Sequence, residues 1–177
     1  MGRSEQCTRL VCELLRRTGL PVVLDADGIN ALQGHIDNLD ARRGRITILT
    51  PHDGEFARIG GDLAQGDRVK AARDFAVAHG CVLVLKGHRT VIVSPEGNVL
   101  VNTTGNSGLA KGGSGDVLTG IIASLLAQGA TAMQAAAAGV WIHGRAGDLA
   151  AARLTAYGMT PGDIAAALPE VFLELTR

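Results

Sequence analysis

Three almost wholly apolar runs punctuate the first half of the chain: Val22-Val23-Leu24, Ile46-Thr47-Ile48-Leu49 and Cys81-Val82-Leu83-Val84-Leu85. Continuous hydrophobicity, rather than alternation, is what a strand covered on both faces requires, so buried strands are predicted over 21–25, 45–50 and 81–85. Helical spacing fills much of the chain between and around them. Ser4 can cap a helix carrying Cys7, Leu10, Val11, Leu14 and Leu15 and ending at Gly19. A second helix runs from about Asp67 to His79, with Val69, Ala72, Phe75 and Ala76, and stops at Gly80. The pattern then changes. Thr90–Val93 and Val99–Val101 flank Ser94-Pro95-Glu96-Gly97-Asn98, which predicts a β-hairpin. Two helices of small residues follow, near 116–128 and 131–154. A last one opens at Thr160-Pro161-Gly162-Asp163, and Pro169 is expected to break or kink it.

Strands alternating with helices predict an α/β fold: a mainly parallel central sheet flanked by helices, with the hairpin placed before a glycine-rich loop. Ligands of such sheets bind beyond the carboxyl ends of the strands. Polar residues collect there: Asp25, Asp27 and Asn30 after the first strand, His52 to Glu55 after the second, Lys86 to His88 after the third. Any one such cluster is equally what a strand end reaching water looks like. Three of them, together with the loop, favour a site.

Composition narrows the field. Within 177 residues there is no internal repeat or linker, and Lys plus Arg balance Asp plus Glu at 17 each, which gives no electrostatic case for nucleic acid or an anionic membrane. The aromatics Phe56, Phe75, Trp141, Tyr157 and Phe172 are too scattered to stack bases. Cys7, Cys12 and Cys81 lack C-x-x-C or zinc spacing, which suits a reducing, cytoplasmic setting. His35, His79, His88 and His143 show no ligand spacing and read as surface or core residues.

The loop from Asn102 to Asp116 contains five glycines and leads into the apolar helix start Val117-Leu118-Thr119-Gly120-Ile121-Ile122. Glycines let main-chain N–H groups converge on an anion where the helix dipole is positive. The pattern is neither a Walker loop nor G-x-G-x-x-G. Its natural ligand is a transferring phosphoryl group. Lys111 is expected to add a cation there, and Asp116 to accept the proton of an incoming hydroxyl; the alternative is that Asp116 simply caps the helix. Lys86 is placed to reach nucleotide phosphates and Thr90 to hydrogen-bond them. His52 and Glu55 share the crevice; Glu55 is a candidate Mg²⁺ ligand through water, or else an exposed first-turn glutamate.

Three motifs in one frame carry a resemblance: Thr50-Pro51-His52-x-Gly54-Glu55-Phe56, Lys86-Gly87-x-x-Thr90, and Asn106-x-Gly108-Leu109-Ala110-Lys111-Gly112-Gly113-Ser114-Gly115-Asp116-Val117-Leu118-Thr119-Gly120. With Leu24-Asp25-Ala26-Asp27 and Val140-Trp141-x-His143-Gly144, they resemble the ADP-dependent NAD(P)H-hydrate dehydratase family of the ribokinase-like superfamily. The resemblance implies a ribokinase-like fold and the repair of hydrated NADH and NADPH: ADP phosphorylates the ring hydroxyl, phosphate leaves, and the double bond re-forms. It implies ADP (or ATP) and Mg²⁺ as cofactors. Asp116, Gly113, Ser114 and Gly115 would be catalytic. Lys86, Gly87, His88, Arg89, Thr90 and Gly115 would hold the adenine nucleotide, His52 and Asp116 the hydrate, and Glu55 the metal. An NAD(P)H-hydrate epimerase, as partner or fused domain, and a homo-oligomer are further expectations. The chain departs from the family pattern at Asp53, and at Thr103 or Thr104, where proline is common. Met1-Gly2-Arg3-Ser4 joins the pattern at the end of its Gly-Pro-Gly-Leu-Gly segment, so residues 1–177 are expected to be the C-terminal portion of the domain. Two other functions fit the residues: a ribokinase-like kinase acting on a hydroxymethyl heterocycle, and a catalytically silent nucleotide-binding or assembly module.

Overall fold

A computed structural model describes residues 4–64 and 66–176. Met1, Gly2 and Arg3, where the resemblance joins the family pattern, lie outside the described residues. In chain order the elements are α1 (Glu5–Arg17), β1 (Val22–Leu24), α2 (Asp27–Asn30), α3 (Asp37–Asp40), β2 (Thr47–Leu49), α4 (Asp53–Arg58), α5 (Arg68–His79), β3 (Val82–Leu85), β4 (Val91–Val93) and β5 (Val99–Val101). A 3₁₀ turn (Ser107–Leu109) follows, then α6 (Ser114–Ala127), α7 (Ala132–Gly158) and α8 (Pro161–Leu175). The sheet runs β1-β2-β3-β4-β5. The first three strands are parallel, and the expected hairpin continues the sheet antiparallel from β3.

Both faces of the sheet are covered along β2, β3 and β4, which is why these strands read as unbroken apolar runs, whereas Leu100 and Val101 of the edge strand β5 are exposed. Leu24, Leu49, Leu83 and Leu85 pack against Leu15, Ile29, Phe56 and Phe75 on one side. Ile48, Val82, Val84 and Ile92 pack against Leu118, Ile122 and Val140 on the other. A third apolar layer joins α6 and α7 to α8 through Ile121, Ile142, Met159 and Ile164. Helix starts follow their capping signals: the Ser4 hydroxyl accepts from Cys7 N at 3.2 Å, and the Asp67 carboxylate from Lys70 N at 2.9 Å.

Several expectations need correction. Helix α1 stops at Thr18, which turns extended (φ −79°, ψ 133°), one residue before Gly19. It buries Val11, Cys12 and Leu15, whereas Leu10 and Leu14 stay exposed. Pro169 lies inside α8 without ending it; Pro169 and Ala165 are both exposed, so the carbonyl the proline cannot bond is on the water side. Helix α7 continues past Leu154 to Gly158, but with a kink at Thr155 (φ 64°, ψ 159°), a conformation otherwise almost confined to glycine. Single-turn helices α2 and α3 have too few residues to show periodicity. Among the described residues no helix is long and apolar enough to cross a membrane.

Candidate active site

The carboxyl ends of β1, β2 and β3 meet the amino end of α6. Asp25 follows β1 and accepts from the Lys86 ammonium at 2.6 Å and from the Thr50 hydroxyl at 2.9 Å. Lys86 follows β3. It is held in line with β2 by its own N–H, which donates to the Pro51 carbonyl at 2.8 Å. Gly115 in the first turn of α6 closes the group: a Cβ there would stand 3.0 Å from Asp25 Oδ2 and 3.4 Å from Lys86 Nζ. Only glycine lets the helix start approach this ion pair so closely. Gly113, with φ 94°, supplies the left-handed residue that turns the loop into the helix.

The glycine loop is ordered by contacts reaching far along the chain. The Thr104 hydroxyl donates to the Trp141 carbonyl at 3.0 Å. Asp148 accepts from Gly105 N at 2.9 Å and from the Asn106 amide at 3.0 Å. Lys111 takes a different part from the one its spacing suggested. Its ammonium donates to the carbonyls of Ala156 (3.1 Å), Tyr157 (2.8 Å) and Met159 (2.6 Å). The Thr155 kink frees carbonyls at the negative end of α7, and these hold the lysine away from the α6 anion site.

The α6 start also refines the expected anion hole. Ser114 N–H is spent on the Lys111 carbonyl at 3.2 Å, and its hydroxyl is buried without a partner among the described residues. Among the described residues no acceptor meets the first-turn N–H groups of Gly115 and Asp116, which leaves them open. The Asp116 side chain is exposed, and α6 has no side-chain cap bond, so the capping alternative is not what forms.

His52 is the N-cap of α4. Its Nδ1 accepts from Gly54 N (3.0 Å) and Glu55 N (3.2 Å), while its own N–H donates to Glu55 Oε2 at 2.9 Å. This reciprocal capping box was written in the sequence as an N-cap followed three residues later by glutamate. Glu55 is therefore 6% exposed rather than an exposed first-turn residue, and lies 3.9 Å from Lys86 Nζ. Its Oε2 is committed to the cap, and among the described residues no group of three His, Cys, Asp or Glu could hold a metal ion. The ring of His52 remains half-exposed at the crevice. Gly87, His88 and Arg89 are exposed on the turn after β3, and the Thr90 hydroxyl closes that turn on the Gly87 carbonyl at 3.2 Å. The structure thus gathers Lys86, Gly115, Glu55 and His52, and adds Asp25 and Thr50. Among the described residues, no hydrogen bond or ion pair joins His88 or Arg89 to the glycine loop.

His143, read from sequence as surface or core, is a core residue: it lies behind α6 with 8% exposure, its Nε2 buried without a partner among the described residues. Burial lowers its pKa from the usual imidazole value and the Lys86 charge acts the same way, while the Ser114 main chain opposes them. The native state thus refuses a proton that the unfolded chain accepts. Stability is unaffected above about pH 6.5 and falls below it, by at most about 1.4 kcal/mol per pH unit, until the lowered native pKa is passed. Denaturant melts at about pH 7 and pH 5 should show this loss, and His143→Gln should remove part of it. An identical pH slope in the variant would exclude His143 as the source.

A parallel α/β sheet with an antiparallel extension, whose strand ends face a glycine-rich helix start, defines a ribokinase-like protein. A ribokinase-like superfamily protein from Enterococcus faecalis V583 superposes with TM-score 0.83 at 28% identity, over 98% of this chain and 60% of its own. The family model described as NAD(P)H-hydrate dehydratase matches residues 1–170, and the chain belongs to that family. Its relatives include a bifunctional NAD(P)H-hydrate repair enzyme of Moorella thermoacetica, 46% identical across 99% of this chain and 33% of its own length. The ADP-dependent (S)-NAD(P)H-hydrate dehydratase of Neisseria meningitidis serogroup B is 46% identical over 87% of this chain and 54% of its own. The ADP/ATP-dependent NAD(P)H-hydrate dehydratase from Bacillus subtilis, co-crystallized with ATP/Mg²⁺ and soaked with CoA, superposes with TM-score 0.82 at 32% identity, over 98% of this chain and 63% of its own. The chain thus spans about a third to about half of the length of these curated relatives.

Proposed function

We propose that this chain carries the phosphoryl-transfer centre of an ADP-dependent dehydratase that returns (S)-hydrated NADH and NADPH to NADH and NADPH. The observation that carries the reading is the Lys86–Asp25 ion pair set against Gly115 in the first turn of α6. A terminal phosphoryl group seated there meets Lys86 on one side and the Gly115 and Asp116 N–H donors on the other. Asp116, exposed beside these donors, takes the proton of the hydrate's ring hydroxyl as that oxygen bonds to phosphorus and the donor's bridging P–O bond breaks, leaving AMP. The C–O bond then breaks with phosphate carrying off the electron pair, and loss of a ring proton restores the double bond. Phosphorylation turns a poor leaving group, hydroxide, into a good one.

His52 lines the hydrate side of the crevice, and the Lys86–Thr90 turn the adenine nucleotide. Magnesium suits this site as an ion carried on phosphates, since the nearby donors are separate carboxylates rather than a cage. Glu55 would reach it through water, and the ion would spread the phosphate charge. A cytoplasmic setting accords with the free thiols of Cys12 and Cys81. The bifunctional name of the Moorella relative supports an epimerase as a companion activity.

Calorimetry with ADP tests the reading. Lys86→Ala should weaken ADP binding by about ten- to a hundredfold, the range of a charge-assisted hydrogen bond. Unchanged affinity in that variant would remove Lys86 from the nucleotide site.

A further inference from the structure

We propose that Arg68 is a positioning residue, anchored on Asp53, that fixes the turn presenting Lys86. Arg68 opens α5, where a positive charge opposes the helix dipole, so its place needs another explanation. Its guanidinium supplies one. Nη2 donates to Asp53 Oδ1 at 2.7 Å and to the Lys86 carbonyl at 2.9 Å, and Nε donates to the same Asp53 oxygen at 3.2 Å. It lies so close over Gly87 that a Cβ there would stand 2.8 Å from Nη2. Asp53 belongs to the first turn of α4, next to His52. One planar cation therefore ties the loop after β2 to the loop after β3. The carbonyl it grips belongs to the residue whose ammonium meets Asp25 beside Gly115. A lysine at this position would lack the second, Nε bond that fixes the cation on Asp53. The exposed ion pair contributes little stability by itself; its effect is on where Lys86 points.

The inference deepens the proposed function, in which Lys86 holds the nucleotide, but its test does not need nucleotide. The chain has three lysines, Lys70, Lys86 and Lys111, so amine acylation read by mass spectrometry reports each one separately. Arg68→Met should raise the Lys86 rate about three- to fivefold, while exposed Lys70 and carbonyl-bound Lys111 keep theirs. Asp53→Asn should give a smaller rise at Lys86. The double variant should not exceed Arg68→Met, because Asp53 acts only through Arg68. An unchanged Lys86 rate in Arg68→Met overturns the proposal. Should all three lysines rise together there, Asp53→Asn decides, and a flat Lys86 rate in it overturns the proposal equally. ADP added to the wild type should slow Lys86 labelling. If it does not, the nucleotide reading fails while the nucleotide-free rates still decide the role of Arg68.

Discussion

Replacing Asp116 with alanine should lower turnover by about a thousandfold, the mid-range for losing a positioned general base. Nucleotide affinity should change by less than about tenfold, because the donors meeting the phosphoryl group are main-chain N–H groups that survive the substitution. Stability should fall by no more than about 1 kcal/mol, the contribution of an exposed carboxylate near a helix N-terminus. These three readouts belong together. Asp116 is the third residue of α6 and is exposed, and α6 has no side-chain cap bond. Single-turnover kinetics, ADP calorimetry and a denaturant melt on one preparation separate them. Loss of folding or of ADP binding in Asp116→Ala would give the residue a structural role in place of a catalytic one.

The other large effect lies far from the loop. Arg42 is 1% exposed and has no carboxylate partner among the described residues. Its guanidinium donates to Thr47 Oγ1 (2.9 Å) and to the carbonyls of Leu15 (3.0 Å), Thr18 (2.8 Å), Leu20 (2.9 Å) and Ile46 (3.3 Å). Those acceptors end α1 and enter β1 and β2, so one side chain ties the first helix to the edge of the sheet. Burial and the neighbouring Arg45 draw its pKa down from that of free arginine. Arg42→Met keeps the volume but strands buried acceptors, and should cost about 3–5 kcal/mol. That is a large part of the stability of a typical domain, about 5–15 kcal/mol. Arg42→Lys should recover little, since an ammonium cannot reproduce the fork. Urea melts give the answer through the midpoint; a shift equivalent to less than about 1 kcal/mol would mean that water replaces the guanidinium at these carbonyls.

What could be read from the sequence, and what could not, follows from the range of each interaction. The strands were legible because burial on both faces leaves an unbroken apolar run, as in Val82–Leu85. Ser4 was legible as a cap and Asp67 as a helix start, since a cap bonds only a few residues ahead. His52 and Glu55 were placed in the crevice, and their three-residue spacing held the further signal of a capping box. Lys111 misled because its partners stand 45 to 48 residues on, at a kink no local pattern announces. Asp25 was seen as a strand-end carboxylate, but its pairing with Lys86, 61 residues away, belongs to the fold. Asp53 stood out only as a departure from a common proline; its partner Arg68 gives it a role that composition cannot carry.

In the proposed function, the Lys86–Asp25–Gly115 cluster and Asp116 together transfer a phosphoryl group from ADP to the hydroxyl of hydrated NADH. The most direct measurement incubates the protein with (S)-hydrated NADH, ADP and Mg²⁺, and follows NADH absorbance, inorganic phosphate and AMP in the same reaction. All three products should appear in equal amounts, and only when ADP is present. Phosphorylation of a different alcohol while hydrated NADH goes unconverted, or ADP binding with no NADH formed, would contradict the claim.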